Sequence, residues 1–85
     1  MPKKQLNHRF IAVNLSEAIE ELARLMHYAS FGGLKEEDFQ MRLLHAYHHL
    51  NFAWNTRFVT DSGHRNMTKR QYDKWGRYPS GIEDH

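Results

Sequence analysis

The side chains best equipped for chemistry in this chain are histidines. His45-Ala46-Tyr47-His48-His49 sets His45 and His49 four residues apart. On a helix that spacing turns two imidazoles to one side, where both can face a single metal ion. Glu20 or Glu21 from another helix or subunit would add carboxylates, as in metal-binding helical bundles. Those bundles use Glu-x-x-His on the core side, and this sequence contains no such pattern. His45 and His49 also flank the apolar stripe of their helix rather than fill it. They read more simply as surface or interface imidazoles, favoured near a helix C-terminus by the dipole. No metal or other cofactor is expected.

A second group lies in the C-terminal third, where Arg65, Lys69, Arg70, Lys74 and Arg77 interleave with Tyr72, Trp75 and Tyr78. Cations pair with phosphates and exposed rings stack on bases, so this composition suits single-stranded nucleic acid. No helix-turn-helix, zinc-finger or RNP pattern accompanies it. The plainer reading makes the rings core anchors and the charges a solvated face. An acidic protein surface is a third partner for the same arm. Asp61, Ser62, His64 and Glu83 offer an acid, a base and a nucleophile. A hydrolytic set needs a shaped pocket with an oxyanion hole, and so short a chain has little room for one. Asp61-Ser62-Gly63-His64 reads as a turn, and no enzyme activity is expected. Gly32-Gly33 lacks the Gly-x-x-x-x-Gly-Lys phosphate-loop pattern.

Two helices must position these groups. Leu15, Ala18, Ile19, Leu22, Leu25, Met26 and Ala29 recur with helical period, with Glu17, Glu20, Glu21 and Arg24 opposite. Asn14 is a suitable N-cap with Glu17 at capping-box spacing, and Ser16 competes for that role. Gly32-Gly33 ends this first helix. The second runs from about Lys35 to Arg57, with Glu36, Glu37 and Asp38 in its first turn, where negative charge is favoured. One face carries Phe39, Leu43, Ala46, Tyr47, Leu50, Ala53 and Trp54. The short glycine connection makes the two helices antiparallel neighbours. The first helix is then expected to pack its Leu, Ile and Met side chains on Phe39, Leu43, Leu50 and Trp54.

The second helix is not cleanly polar on its reverse side, where Met41, Leu44 and Phe52 stand among His45 and His48. A helix apolar on two sides is normally covered on two sides. The C-terminal arm or a second copy of the chain must supply the cover. In the arm, Thr68 is placed to cap a short helix over Lys69–Trp75, and Gly76 to stop it. Tyr78-Pro79-Ser80-Gly81 reads as a turn. Before the first helix, His8–Val13 is apolar and short, and is read as extended, with a brief strand or an earlier helix start as alternatives.

The bulk numbers agree with a small module. A chain of 85 residues buries only about 60% of its unfolded surface, so its core is thin. There is no cysteine, which removes disulfides and thiolate metal sites and fits a reducing compartment. No apolar run approaches the roughly 20 residues that span a bilayer, and the basic N-terminus is not followed by a leader-like apolar stretch. A cytoplasmic protein without membrane contact is therefore expected. The formal charge of +2 hides an acidic centre between basic arms. Residues 1–13 carry net +3, residues 14–56 net −3, residues 57–78 net +4 and the last seven net −2.

The reading that follows is all-α. Residues 1–14 form an extended basic segment, residues 15–58 a helical hairpin, and residues 59–85 an arm with a short helix near 69–75. Two copies are expected to pair as a homodimer in a four-helix arrangement. Met41, Leu44, Phe52, Tyr72 and Trp75 are the expected interaction surface. The expected role is a small non-catalytic interaction or regulatory module with an unidentified protein partner. The alternative is nucleic-acid binding through Arg65, Lys69, Arg70, Lys74 and Arg77.

Overall fold

In the computed structural model, which describes residues 4–78, four helices follow one another: α1 (His8–Ser30), α2 (Glu36–Asn55), α3 (Asp61–Arg65) and α4 (Lys69–Trp75). No strand occurs among the described residues. The turn expected at Tyr78–Gly81 and the carboxylate of Glu83 lie outside them.

The hairpin turn forms where the glycine pair places it. Gly32 sits at φ 71, a conformation that costs a β-carbon-bearing residue about 1–2 kcal/mol. Its N–H donates to the Ala29 carbonyl (3.2 Å), and the Gly33 N–H donates to that of Tyr28 (3.0 Å). This pair of bonds is a Schellman motif, which satisfies two carbonyls left free at the helix end. α2 then returns antiparallel to α1.

The first helix is capped seven residues earlier than expected. Asn7, not Asn14, is the N-cap, and its Oδ1 accepts from the Phe10 N–H (3.2 Å). The same residue joins the far end of the hairpin. Its N–H donates to the Arg57 carbonyl (2.7 Å), and its Nδ2 donates to the Val59 carbonyl (2.8 Å) and to Asp61 Oδ1 (3.0 Å). The extended segment expected through residue 14 is therefore helical from His8 on. Thr60 caps α3 over the residues read as a turn. α4 has the limits read from the sequence, with a full capping box between Thr68 and Gln71.

Packing departs from the sequence reading in one respect that governs the rest. The seam between α1 and α2 is built mostly from alanines, with Leu25 its one large aliphatic among the described residues. Ala18 and Leu25 of α1 and Ala46 and Ala53 of α2 are buried there, beside buried Asn14, Glu21 and Thr56. Small side chains let the helix axes approach closely. Asn14 and Glu21 find partners across the seam, whereas the Thr56 hydroxyl donates to the Phe52 carbonyl of its own helix. The stripes of Leu, Ile, Met and Phe expected to meet each other are turned aside. The molecule is correspondingly extended. Its radius of gyration is 15.0 Å, against about 12 Å for a compact chain of this length.

Candidate interaction surface and polar seam

The direction in which those stripes turn follows from helix phase. At about 100° per residue, positions 15, 19, 22 and 26 stand about a quarter turn round α1 from the seam positions 14, 18, 21 and 25. On α2 the same quarter turn separates 39, 43, 47, 50 and 54 from 42, 46, 49 and 53. Because the helices run antiparallel, both rotations lead to the same side of the pair. Leu15, Ile19, Leu22 and Met26 thus share one face with Phe39, Leu43, Tyr47, Leu50 and Trp54. Most of it is open, with Ile19 64% and Met26 69% exposed. Between residues 12 and 26 and between 39 and 54, no Asp, Glu, Lys or Arg falls on this side.

The opposite face is covered by the chain itself. Phe52, 6% exposed, is surrounded by rings at centroid distances of 5.0 Å (His48), 5.6 Å (Tyr72) and 6.1 Å (Trp75). Phe10 of α1 stacks on His64 of α3 at 3.9 Å. α4 is also held through its last carbonyls. Asn51 Nδ2 donates to the Gly76 carbonyl (2.9 Å), and Asn55 Nδ2 donates to those of Trp75 and Arg77 (both 2.8 Å). His64 is 6% exposed and its Nε2 has no hydrogen-bond partner. Burial lowers its pKa, partly opposed by the Asp61 carboxylate.

The expected interaction residues therefore separate. Phe52 belongs to the chain's own core and is not a surface residue, because the arm fills the space in front of it. Trp75 packs half-buried against it, while Tyr72 keeps an exposed edge. Met41 and Leu44 remain exposed at 61% and 60% on the outer side of α2. Of the expected phosphate-binding cations, Lys69, Arg70, Lys74 and Arg77 line one shallow groove together with Asp73. Arg65 lies elsewhere, beside Phe10 and Met67. Asp73 pairs with Lys69 at 3.3 Å. Arg57 lies over the Trp54 ring at 3.9 Å.

A chain of polar contacts crosses the seam. Asn14 Nδ2 donates to the Phe10 carbonyl (3.0 Å), and Asn14 Oδ1 faces His49 Nδ1 (3.0 Å). His49 Nε2 stands 3.1 Å from His45 Nε2. His45 Nδ1 lies 3.6 Å from Glu21 Oε1, and the Arg42 guanidinium 3.6 Å from Glu21 Oε2. Glu21 is 8% exposed. Burial lowers the His49 pKa, His45 lowers it further, and Glu17 and Glu21 oppose both. Burial also lowers that of His48, with His49 and His45 adding to the effect. Among the described residues no three His, Asp or Glu side chains converge as metal ligands, and no helix is long and apolar enough to cross a membrane.

The open face is not evident from the sequence, because its residues share the helical period of the seam. The signal was nonetheless present: Ala18, Ala46 and Ala53 are spaced for a close helix contact of their own. No family model, curated protein or solved structure matches the chain.

Proposed function

We propose that this chain is a non-catalytic interaction module that pairs with a second copy of itself through the open hairpin face. The carrying observation is the uncovered apolar stripe on both long helices. Leu15, Ile19, Leu22, Met26, Phe39, Tyr47 and Leu50 leave roughly 650–700 Å² exposed, taking about 200 Å² per fully exposed side chain. The largest apolar patch on a typical monomer is about 300–600 Å², and a standard interface buries about 800 Å² on each partner. The face is thus large for a free monomer and close to what a specific pair requires. A twofold pairing sets the same stripe against itself and gives the four-helix layer that covers it. The regulatory or adaptor role and the cytoplasmic setting belong to the same reading.

Sedimentation equilibrium of the full chain tests it. A dimer is expected at tens of micromolar, and Ile19→Glu with Met26→Glu converts it to a monomer of unchanged helical circular dichroism. Both side chains already face solvent in the single chain, so the substitutions leave its packing alone. A wild-type monomer at that concentration overturns the proposal, as does a double variant that still pairs.

The groove of Lys69, Arg70, Lys74 and Arg77 supports a second reading, binding to single-stranded nucleic acid. Anisotropy of a labelled oligonucleotide is then expected to fall steeply with salt, with a log–log slope of about −0.7 per neutralised phosphate. Lys69→Ala with Arg70→Ala flattens that slope. Binding insensitive to salt or to these substitutions refutes this reading.

A further inference from the structure

The two imidazole nitrogens that meet at the seam are held by groups that dictate where their protons sit. Asn14 uses its Nδ2 to donate to the Phe10 carbonyl, so its Oδ1 is left as an acceptor toward His49 Nδ1. His49 therefore carries its ring proton on Nδ1, and in the neutral ring Nε2 is a bare lone pair. His45 Nδ1 faces the Glu21 carboxylate, which accepts and does not donate. A proton on Nδ1 is favoured there as well, again leaving Nε2 bare. The two bare nitrogens stand 3.1 Å apart and repel each other unless a cation joins them.

Geometry selects the kind of cation. Two imidazole nitrogens about 2.1 Å from one metal ion lie about 3.0–3.4 Å apart for bond angles between a right angle and the tetrahedral value. The observed spacing falls in that range. A straight N–H···N bond at this separation would put the ring centroids about 5.4 Å apart. They are 4.6 Å apart, with the planes at 62°, so the rings converge from the side rather than point at each other.

We propose that His45 and His49 chelate one divalent late-transition-metal ion through their Nε2 atoms, with Asn14 and Glu21 of α1 as positioning residues behind them. Imidazole pairs suit zinc, nickel and copper. The Asn14 acceptor behind His49 fixes its tautomer and raises its basicity, and the Glu21 carboxylate, 3.6 Å behind His45, favours the same tautomer through its charge. The His45 side chain is half exposed, so water completes the coordination shell. Because only two protein ligands converge, the ion is exchangeable and binding is in the micromolar range rather than that of a closed structural site.

Isothermal titration of the full chain with zinc or nickel chloride, in a non-coordinating buffer above pH 7, tests this. One ion per chain is expected. His45→Gln and His49→Gln each weaken binding at least about tenfold, whereas His27→Gln on α1 does not. Asn14→Ala weakens it less. In nitrogen-15 spectra of the histidine rings, metal moves the Nε2 resonances of His45 and His49 while Nδ1 stays protonated. Circular dichroism of each variant separates loss of ligand from loss of fold. Absence of saturable binding below about 100 µM would mean that a proton on His45 fills the gap, and would overturn the assignment. Binding that survives both glutamine variants would locate the ion elsewhere and overturn it equally.

Discussion

Removing the Phe52 ring tests whether the arm is part of the fold or an appendage. Phe52 is the largest apolar side chain buried among the described residues, and it joins α2 to α4 through Tyr72 and Trp75. Phe→Ala in a core costs about 3–5 kcal/mol, the spread reflecting how far neighbours settle into the gap. Tyr72 is exposed on its outer edge, so α4 can settle inward, and the lower end, about 3 kcal/mol, is expected. A domain of this length has roughly 4–13 kcal/mol in total. The variant should therefore lose about 12–24 °C in Tm, at about 4–8 °C per kcal/mol. Circular dichroism at 222 nm follows the helices. Fluorescence in a Trp54→Phe background leaves Trp75 as the only indole and reports the arm separately. Asn51 and Asn55 still hold the end of α4, so the arm should loosen without detaching. A loss below about 1 kcal/mol, well short of what deleting a buried aromatic ring costs, would refute the claim that the arm seals this side of the hairpin.

Acid should destabilise the fold through its buried imidazoles. The folded-state pKa values of His48, His49 and His64 lie below the ordinary 6.5, so the unfolded chain binds protons more readily. Stability is full above pH 6.5 and falls as pH drops through the folded-state values. Urea titrations between neutral and mildly acidic pH measure it, and unchanged midpoints would contradict these shifts. His64→Phe keeps the stack on Phe10 and removes an unpartnered nitrogen. It is expected to be neutral or stabilising and to reduce the acid loss, whereas a large destabilisation would argue for a hidden partner of Nε2. Gly32→Ala should cost about 1–2 kcal/mol because of its positive φ. Gly33→Ala, with open space round the added carbon, should stay within about 0.5 kcal/mol in thermal denaturation. Asn55→Ala removes the bonds to the Trp75 and Arg77 carbonyls and should cost about 1–3 kcal/mol, read best from Trp75 fluorescence.

The features legible in the sequence were local ones. Gly32-Gly33 stops α1, and Thr68 with Gln71 opens α4, because each acts through residues no more than four or five positions away. The start of α1 was less legible. Asn14 has as good a local cap signal as Asn7, and the choice is made by Arg57, Val59 and Asp61, fifty or more positions downstream of Asn7. The rotation of the hairpin was hidden for a different reason. A seam of Ala18, Leu25, Ala46 and Ala53 and a stripe of Leu15, Ile19, Leu22 and Met26 have the same period and differ only in phase. Periodicity detects a helix but does not say which of two adjacent sides its neighbour chooses. The polar contacts of Asn14, Glu21, His45 and His49 add specificity to that choice, and such pairings cannot be read from spacing. Burial of His64 is not legible because a run of Asp, Ser, Gly and His resembles a solvated turn, and the Phe10 and Trp75 rings that cover it come from other helices.

The arm closes one side of the hairpin and leaves the other bare, so the module has distinct front and back surfaces. Two copies meeting front to front would carry their Lys69, Arg70, Lys74 and Arg77 grooves outward on opposite sides. Each groove would then be one of a pair held at a fixed separation by four packed helices. A polyanion that reaches only one of them gains nothing from the doubling, whereas a partner presenting two acidic sites at the matching span would be retained far longer than either contact alone allows.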